Sequence, residues 1–302
     1  EKYYETAKNI DKKQNAIDRI RQNPNLTPEQ IDSISQNIRE LDESKDDFAN
    51  KLDKELAKAD LIAQIQANTN SSENEKAQLV QEVQNIDNNS PNFFDQIANE
   101  KAKLAIIEQI HEDYKAGLLS DENKEALIKK ALSIDNDENT VQIIDKLEQE
   151  LTLIRKIKQD EQLTPKVKEQ LINSIVNIDE DSNAFESDLN KVAQKYVDVK
   201  ELIKSMNDLD NLTQNASQWN KLDDDRKTAI HNAINISNLI LKDLDNNDSI
   251  TISDQTAINK SLLDFEDNHK WDWILFVIAS IATALSLGIL LAIPAVKNKL
   301  LK

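Results

Sequence analysis

One stretch of seventeen residues recurs four times and fixes what this chain can fold into. It reads LTPEQIDSISQNIRELD over Leu26–Asp42, SSENEKAQLVQEVQNID over Ser71–Asp87, LSDENKEALIKKALSID over Leu119–Asp135 and LTPKVKEQLINSIVNID over Leu163–Asp179. The starts lie 45, 48 and 44 residues apart, a period that marks a tandem array of supersecondary units. Apolar residues stand eight, twelve and fifteen positions after each start: Ile34, Ile38, Leu41; Leu79, Val83, Ile86; Leu127, Ala131, Ile134; Leu171, Ile175, Ile178. That spacing is one face of an α-helix. Each copy opens on a hydroxyl residue that can accept from an orphan N–H of the first turn, and Pro28 and Pro165 suit that turn.

The flanks of the motif set the rest of the period. A large apolar residue stands twenty-two positions after each start, at Phe48, Phe93, Val141 and Phe185, and is the expected core anchor of a third helix. The runs Phe48–Asn68, Phe93–Ala116, Val141–Gln162 and Phe185–Asn207 contain no Gly or Pro before the next copy begins. Each therefore reads as the last helix of one module continuing as the first helix of the next. At about 1.5 Å per residue each is ~33 Å long. Residues 3–24 read as the first helix, with Ile10, Ala16, Ile17 and Ile20 inward. Turns are predicted near 22–26, 43–47, 68–72, 88–92, 116–120, 135–140, 161–164 and 179–183. A fifth, degenerate copy opens at Leu222-Asp223-Asp224-Asp225 with Ile230 and Ile234 inward. The predicted fold is all-α: tandem three-helix bundles sharing long connecting helices in an elongated rod, with one C-terminal transmembrane helix. Its parts are repeats over 1–60, 61–108, 109–152 and 153–204, a degenerate membrane-proximal repeat over 205–270, and a span with a basic tail over 271–302. Modules of ~45 residues are near the lower limit of independent stability, so shared helices would let neighbours support one another.

Ala116-Gly117-Leu118-Leu119-Ser120-Asp121-Glu122-Asn123-Lys124-Glu125-Ala126-Leu127-Ile128, followed by Thr140-Val141 and Ile144-Asp145-Lys146-Leu147, resembles the GA module, the three-helix albumin-binding module of Gram-positive surface proteins. The LTPEQ and LTPKVKEQL starts are similar to related repeats of giant staphylococcal matrix-binding proteins. The likeness covers residues ~1–210 and is strongest in the third copy. The chain departs from the family in its Ile-Asp loops and shared helices, and only Gly117 stands at the family's turn glycine. The resemblance implies a surface-exposed helical array on a bacterium.

Trp273–Val296 holds no charged residue, and its 24 residues reach ~36 Å, enough for a bilayer core of about 30 Å. Trp271 and Trp273 stand where an interfacial belt belongs, and Lys297, Lys299 and Lys302 follow. The positive-inside rule then predicts a single-pass protein of the cell membrane, with residues 1–270 outside and the C-terminus cytoplasmic. No sortase-type LPxTG motif precedes the span. The chain begins at Glu1 without methionine, as removal of a signal peptide or trimming would leave it.

A net charge of −18 repels phosphates and argues against a nucleic-acid partner. With no cysteine, thiol catalysis and Cys-ligated metals are excluded. His111, His231 and His269 are far apart and read as solvated. Asp243–Asp254 has the spacing of a twelve-residue calcium loop, with Asp243, Asp245, Asn247, Ser249 and Asp254 as candidate ligands. Asp248 occupies the place where that loop wants glycine, and the competing reading is a plain helix connection capped by Ser253. The functional expectation is a non-enzymatic, membrane-anchored adhesin or spacer with a protein partner and no cofactor beyond that candidate calcium. A scaffold subunit of a motility or secretion assembly and a tail-anchored intracellular or effector protein are the alternatives.

Overall fold

A computed structural model describes residues 2–264. Among them are twelve α-helices and no strand: α1 (Lys2–Arg21), α2 (Pro28–Glu40), α3 (Phe48–Ala67), α4 (Glu73–Asn85), α5 (Phe93–Lys115), α6 (Asp121–Leu132), α7 (Thr140–Gln159), α8 (Pro165–Val176), α9 (Phe185–Gln214), α10 (Ala216–Trp219), α11 (Asp224–Lys242) and α12 (Ser249–Leu263). The gaps between α1 and α9 fall within the predicted turns or a few residues of them. The chain divides into two units, 1–151 and 152–302, with the boundary inside α7.

The second helix of every repeat begins the same way. Thr27, Ser72, Ser120, Thr164 and Asp223 are N-caps whose side chains accept from the N–H three residues on. Gln30 and Glu75 reach back to the N-cap N–H and complete capping boxes. The residue before each cap, Leu26, Ser71, Leu119, Leu163 or Leu222, is buried. The turns use Asx geometry in place of glycine. Asp42 Oδ1 accepts from Ser44 N–H at 2.9 Å, Asp87 from Asn89 at 2.8 Å and Asp179 from Asp181 at 3.0 Å. Asn23, Asn68 and Asp160 do the same after α1, α3 and α7.

The exception is the turn after α5. Gly117 has φ +73, its N–H donates to Tyr114 O, and Leu118 N–H donates to Asp113 O, the two bonds of a Schellman motif. Space is free around the missing Cβ, so the cost of a side chain there is conformational. Gly117→Ala should destabilise the third repeat by about 1 kcal/mol, read as a lower urea midpoint. An unchanged midpoint would mean that the turn can adopt another geometry.

In unit 1 the shared helices are observed. Helix α3 packs against α1 and α2 and also against α4 and α5, and α5 packs against α3, α4 and α6. Phe48 and Phe93 are each 1% exposed at the first residue of these helices, and Phe185 is 1% exposed at the first residue of α9. The stripe residues of the four second helices are buried, apart from a partly exposed Leu41. In unit 2 α9 packs against α8, α10, α11 and α12, so the fifth repeat is built on the C-terminal half of α9.

Three sequence expectations need correction. Val141 is not a core anchor; it is 55% exposed. The loop after the third copy is one residue shorter, so Thr140 starts α7 and takes the buried place. Its hydroxyl donates to the carbonyl of Asp135 and accepts from the N–H of Asp137, closing the loop with hydrogen bonds where the other repeats use a ring. Ile10 is 52% exposed, whereas Ala16, Ile17 and Ile20 are buried as expected. In α11 Ala233, Ile236 and Ile240 are buried and Ile234 is only partly so, because the helix also meets α12.

Among the described residues no helix is long and apolar enough to cross a membrane. The stretch 273–296, with Trp271, Trp273, Lys297, Lys299 and Lys302, lies outside the described residues.

Candidate functional site

Ten positions after each anchoring phenylalanine stands a lysine: Lys58, Lys103 and Lys195. Each sends its ammonium to the end of the second helix of the following repeat. Lys58 Nζ donates to Ile86 O at 2.5 Å, Lys103 Nζ to Ile134 O at 2.6 Å, and Lys195 Nζ to Leu244 O. In the first repeat Lys13 Nζ donates to Leu41 O and to Glu43 Oε1, both at 2.6 Å. The last carbonyls of a helix have no intrahelical partner and carry the negative end of its dipole, so a buried ammonium there satisfies both. Burial holds Lys58 and Lys195 below the usual lysine range, partly offset by Glu55 and Asp87 in one case and by Asp245, Asp248 and Asp243 in the other.

The junction between the second and third repeats is the most chemically loaded. Lys103 Nζ is 2.7 Å from Glu82 Oε2 and 3.8 Å from Glu100 Oε1. Asn136 Nδ2 donates to Glu100 Oε1 at 2.8 Å and to Gln96 O at 3.0 Å. Glu100 is 1% exposed, and its Oε2 accepts from no donor. Burial pushes the Glu100 carboxyl up to about 7; the Lys103 ammonium pulls it down, while the neighbouring Glu82 pushes it up again. The group opens on a cleft of about 420 Å³ lined also by Asn85, Ser133 and Asp135. The arrangement can hold and release one proton near pH 7 inside a structural junction.

Glu55 repeats the position of Glu100 one period earlier, accepting from Asn37 Nδ2 at 3.4 Å and from Asn88 Nδ2. In α7 the lysine position is taken by buried Glu150, which pairs with Lys130 of the preceding helix at 3.3 Å. Sequence reading missed these groups because charged residues on a helix suggest a solvated face. The signal was present in the constant ten-residue distance from phenylalanine to lysine.

His111 corrects another expectation. It is buried, and its Nε2 lies 2.7 Å from Oε2 of Glu75, the capping-box residue of α4. His231 meets Trp219 edge-on at 5.2 Å, and His269 lies outside the described residues. In unit 2 Asp160 accepts from Tyr196 Oη at 2.6 Å and pairs with Lys200 at 2.8 Å. Burial would raise its carboxyl, but the bonds from Lys200, Tyr196 and the Gln162 N–H outweigh that and hold it at about 2.

The candidate calcium loop is not assembled. Helix α12 begins at Ser249, so Ser249 and Asp254 lie within it. Asp248, not Ser253, is the N-cap and accepts from Thr251 N–H at 2.8 Å. Asn247 turns its amide onto Asp243 O, and Asn246 bonds the Asp243 carboxylate. The charges of Asp245, Asp248 and Asp243 act on Lys195, whose ammonium donates to Leu244 O in the same loop. Among the described residues no group of three or more His, Cys, Asp or Glu is placed to hold a metal ion. Millimolar calcium should therefore leave the melting temperature where chelator puts it. A rise of several degrees would restore the metal reading.

Comparison with protein-family models, with curated proteins and with solved structures finds no match.

Proposed function

We propose that the protein is a membrane-anchored, surface-exposed helical-repeat protein that presents its modules to a protein partner or spaces one from the membrane, without catalysis of its own. The observation that carries this reading is a constant frame under a changing surface. Caps and stripe recur in all four copies and the phenylalanine anchor in three, while exposed positions at the same offsets differ: Asp32, Ala77, Glu125 and Glu169, or Gln36, Gln81, Lys129 and Asn173. A frame of this kind offers different surfaces at fixed spacing, which is how repeat proteins bind. The apolar stretch 273–296 with its lysine tail supplies the anchor, and the likeness of the third repeat to the GA module makes albumin the first partner to assay.

The test is the full chain expressed in a bacterium. Carbonate washing should leave it in the membrane, deletion of 271–302 should release it, and protease added to intact cells should degrade residues 1–270. Carbonate extraction of the full chain, or protection of all but a short C-terminal piece, would overturn the reading. The scaffold alternative draws support from the exposed Tyr3, Tyr4 and Ile10, apolar residues of the kind that assembly covers.

A further inference from the structure

The lysine contacts put α1 in register with the shared helices. Lys13, Lys58 and Lys103 do the same work, each binding a carbonyl just past the end of the second helix that follows. Ten positions before them stand Tyr3, Phe48 and Phe93. Phe48 and Phe93 are 1% exposed, whereas Tyr3 is 95% exposed. The rest of the stripe follows suit. Ala7 and Ile10 are exposed, while their counterparts Leu52 and Glu55 are buried. The first half of α1 therefore carries the face with which α3 and α5 meet the repeat before them, and none of the described residues covers it.

We propose that this face, Tyr3, Ala7 and Ile10, is the docking surface for one further repeat of the same kind, joined in tandem ahead of α1. Its occupant is a second helix with the aliphatic stripe and Ile-Asp end found in this chain. The established junctions also state the chemistry at one position. Glu55 accepts from Asn37, and Glu100 shares the Lys103 ammonium with Glu82; Asn37 and Glu82 stand at one offset of the preceding second helix. Ile10 holds the place of those glutamates, so the helix that covers it carries an uncharged residue at the Asn37 position.

The experiment extends the full chain, in detergent, by one period: a copy of Tyr3–Asp47 placed so that its Asp47 is followed directly by Tyr3. Amide exchange of residues 3–12 should slow at least tenfold, toward that of 48–57. Tyr3→Asp should undo the slowing in the extended chain and leave melting of the original chain unchanged. A copy carrying Asn37→Leu should protect at least as well as the unaltered copy, and one carrying Asn37→Glu should protect less. Unchanged exchange in every extended chain, with Tyr3→Asp silent throughout, would overturn the proposal. So would protection of residues 3–12 in the original chain that rises with its concentration, which would assign the face to a second copy.

Discussion

Glu100→Gln should make unit 1 more stable at pH 8 and leave it unchanged at pH 5. The folded carboxyl titrates at about 7 against an ordinary 4.5. A raised carboxyl binds its proton in the folded state while the unfolded chain has lost it. Stability is therefore complete below about 4.5, falls as the pH rises, and levels off above about 7. The gap corresponds to at most about 3 kcal/mol. Glutamine reproduces the uncharged form: its carbonyl accepts from Asn136, and Lys103 keeps Glu82 and Ile134 O. Urea unfolding at the two pH values should show a gain of ~1–3 kcal/mol at pH 8 only. A loss at both would mean that the ionised carboxylate is what the Lys103 ammonium needs.

Phe93→Ala should be the most damaging single truncation in unit 1. The ring is 1% exposed, lies edge-on to Phe94 at 5.1 Å, and has the ammonium groups of Lys54 and Lys58 at 5.2 and 5.8 Å from its centre. Removing a buried phenylalanine costs about 3–5 kcal/mol. That is most of what a module of ~45 residues can hold. The substitution also lies at the first residue of a helix that serves two repeats. Phe93→Leu, which keeps most of the apolar volume, should recover over half of the loss. Equal damage from both would point to the ring–ammonium contacts as the main term.

What the sequence disclosed was what local chemistry decides. The caps at Thr27, Ser72, Ser120 and Thr164 and the stripes behind them follow from hydrogen-bond geometry and a period of 3.6, and both are written in consecutive residues. What it withheld depends on the next repeat. A loop shorter by one residue turned Val141 outward and put Thr140 in its place. Lys58, Lys103 and Glu100 are polar by type and buried by position, because their partners lie on a second helix or in the turn that follows one, 21 to 36 residues away. The Asp243–Asp254 loop had ligand-like spacing, but the cap at Asp248 and the Lys195 ammonium decide its shape, and neither follows from spacing.

The central claim is that repeats are coupled through the helices they share. Hydrogen exchange of Phe93→Ala against the unaltered chain tests it directly. Exchange should accelerate in α4, α5 and α6, on both sides of the substitution, well ahead of α1 and α2. Acceleration confined to the first turn of α5, or spread evenly from α1 to α6, would contradict coupling through a shared helix.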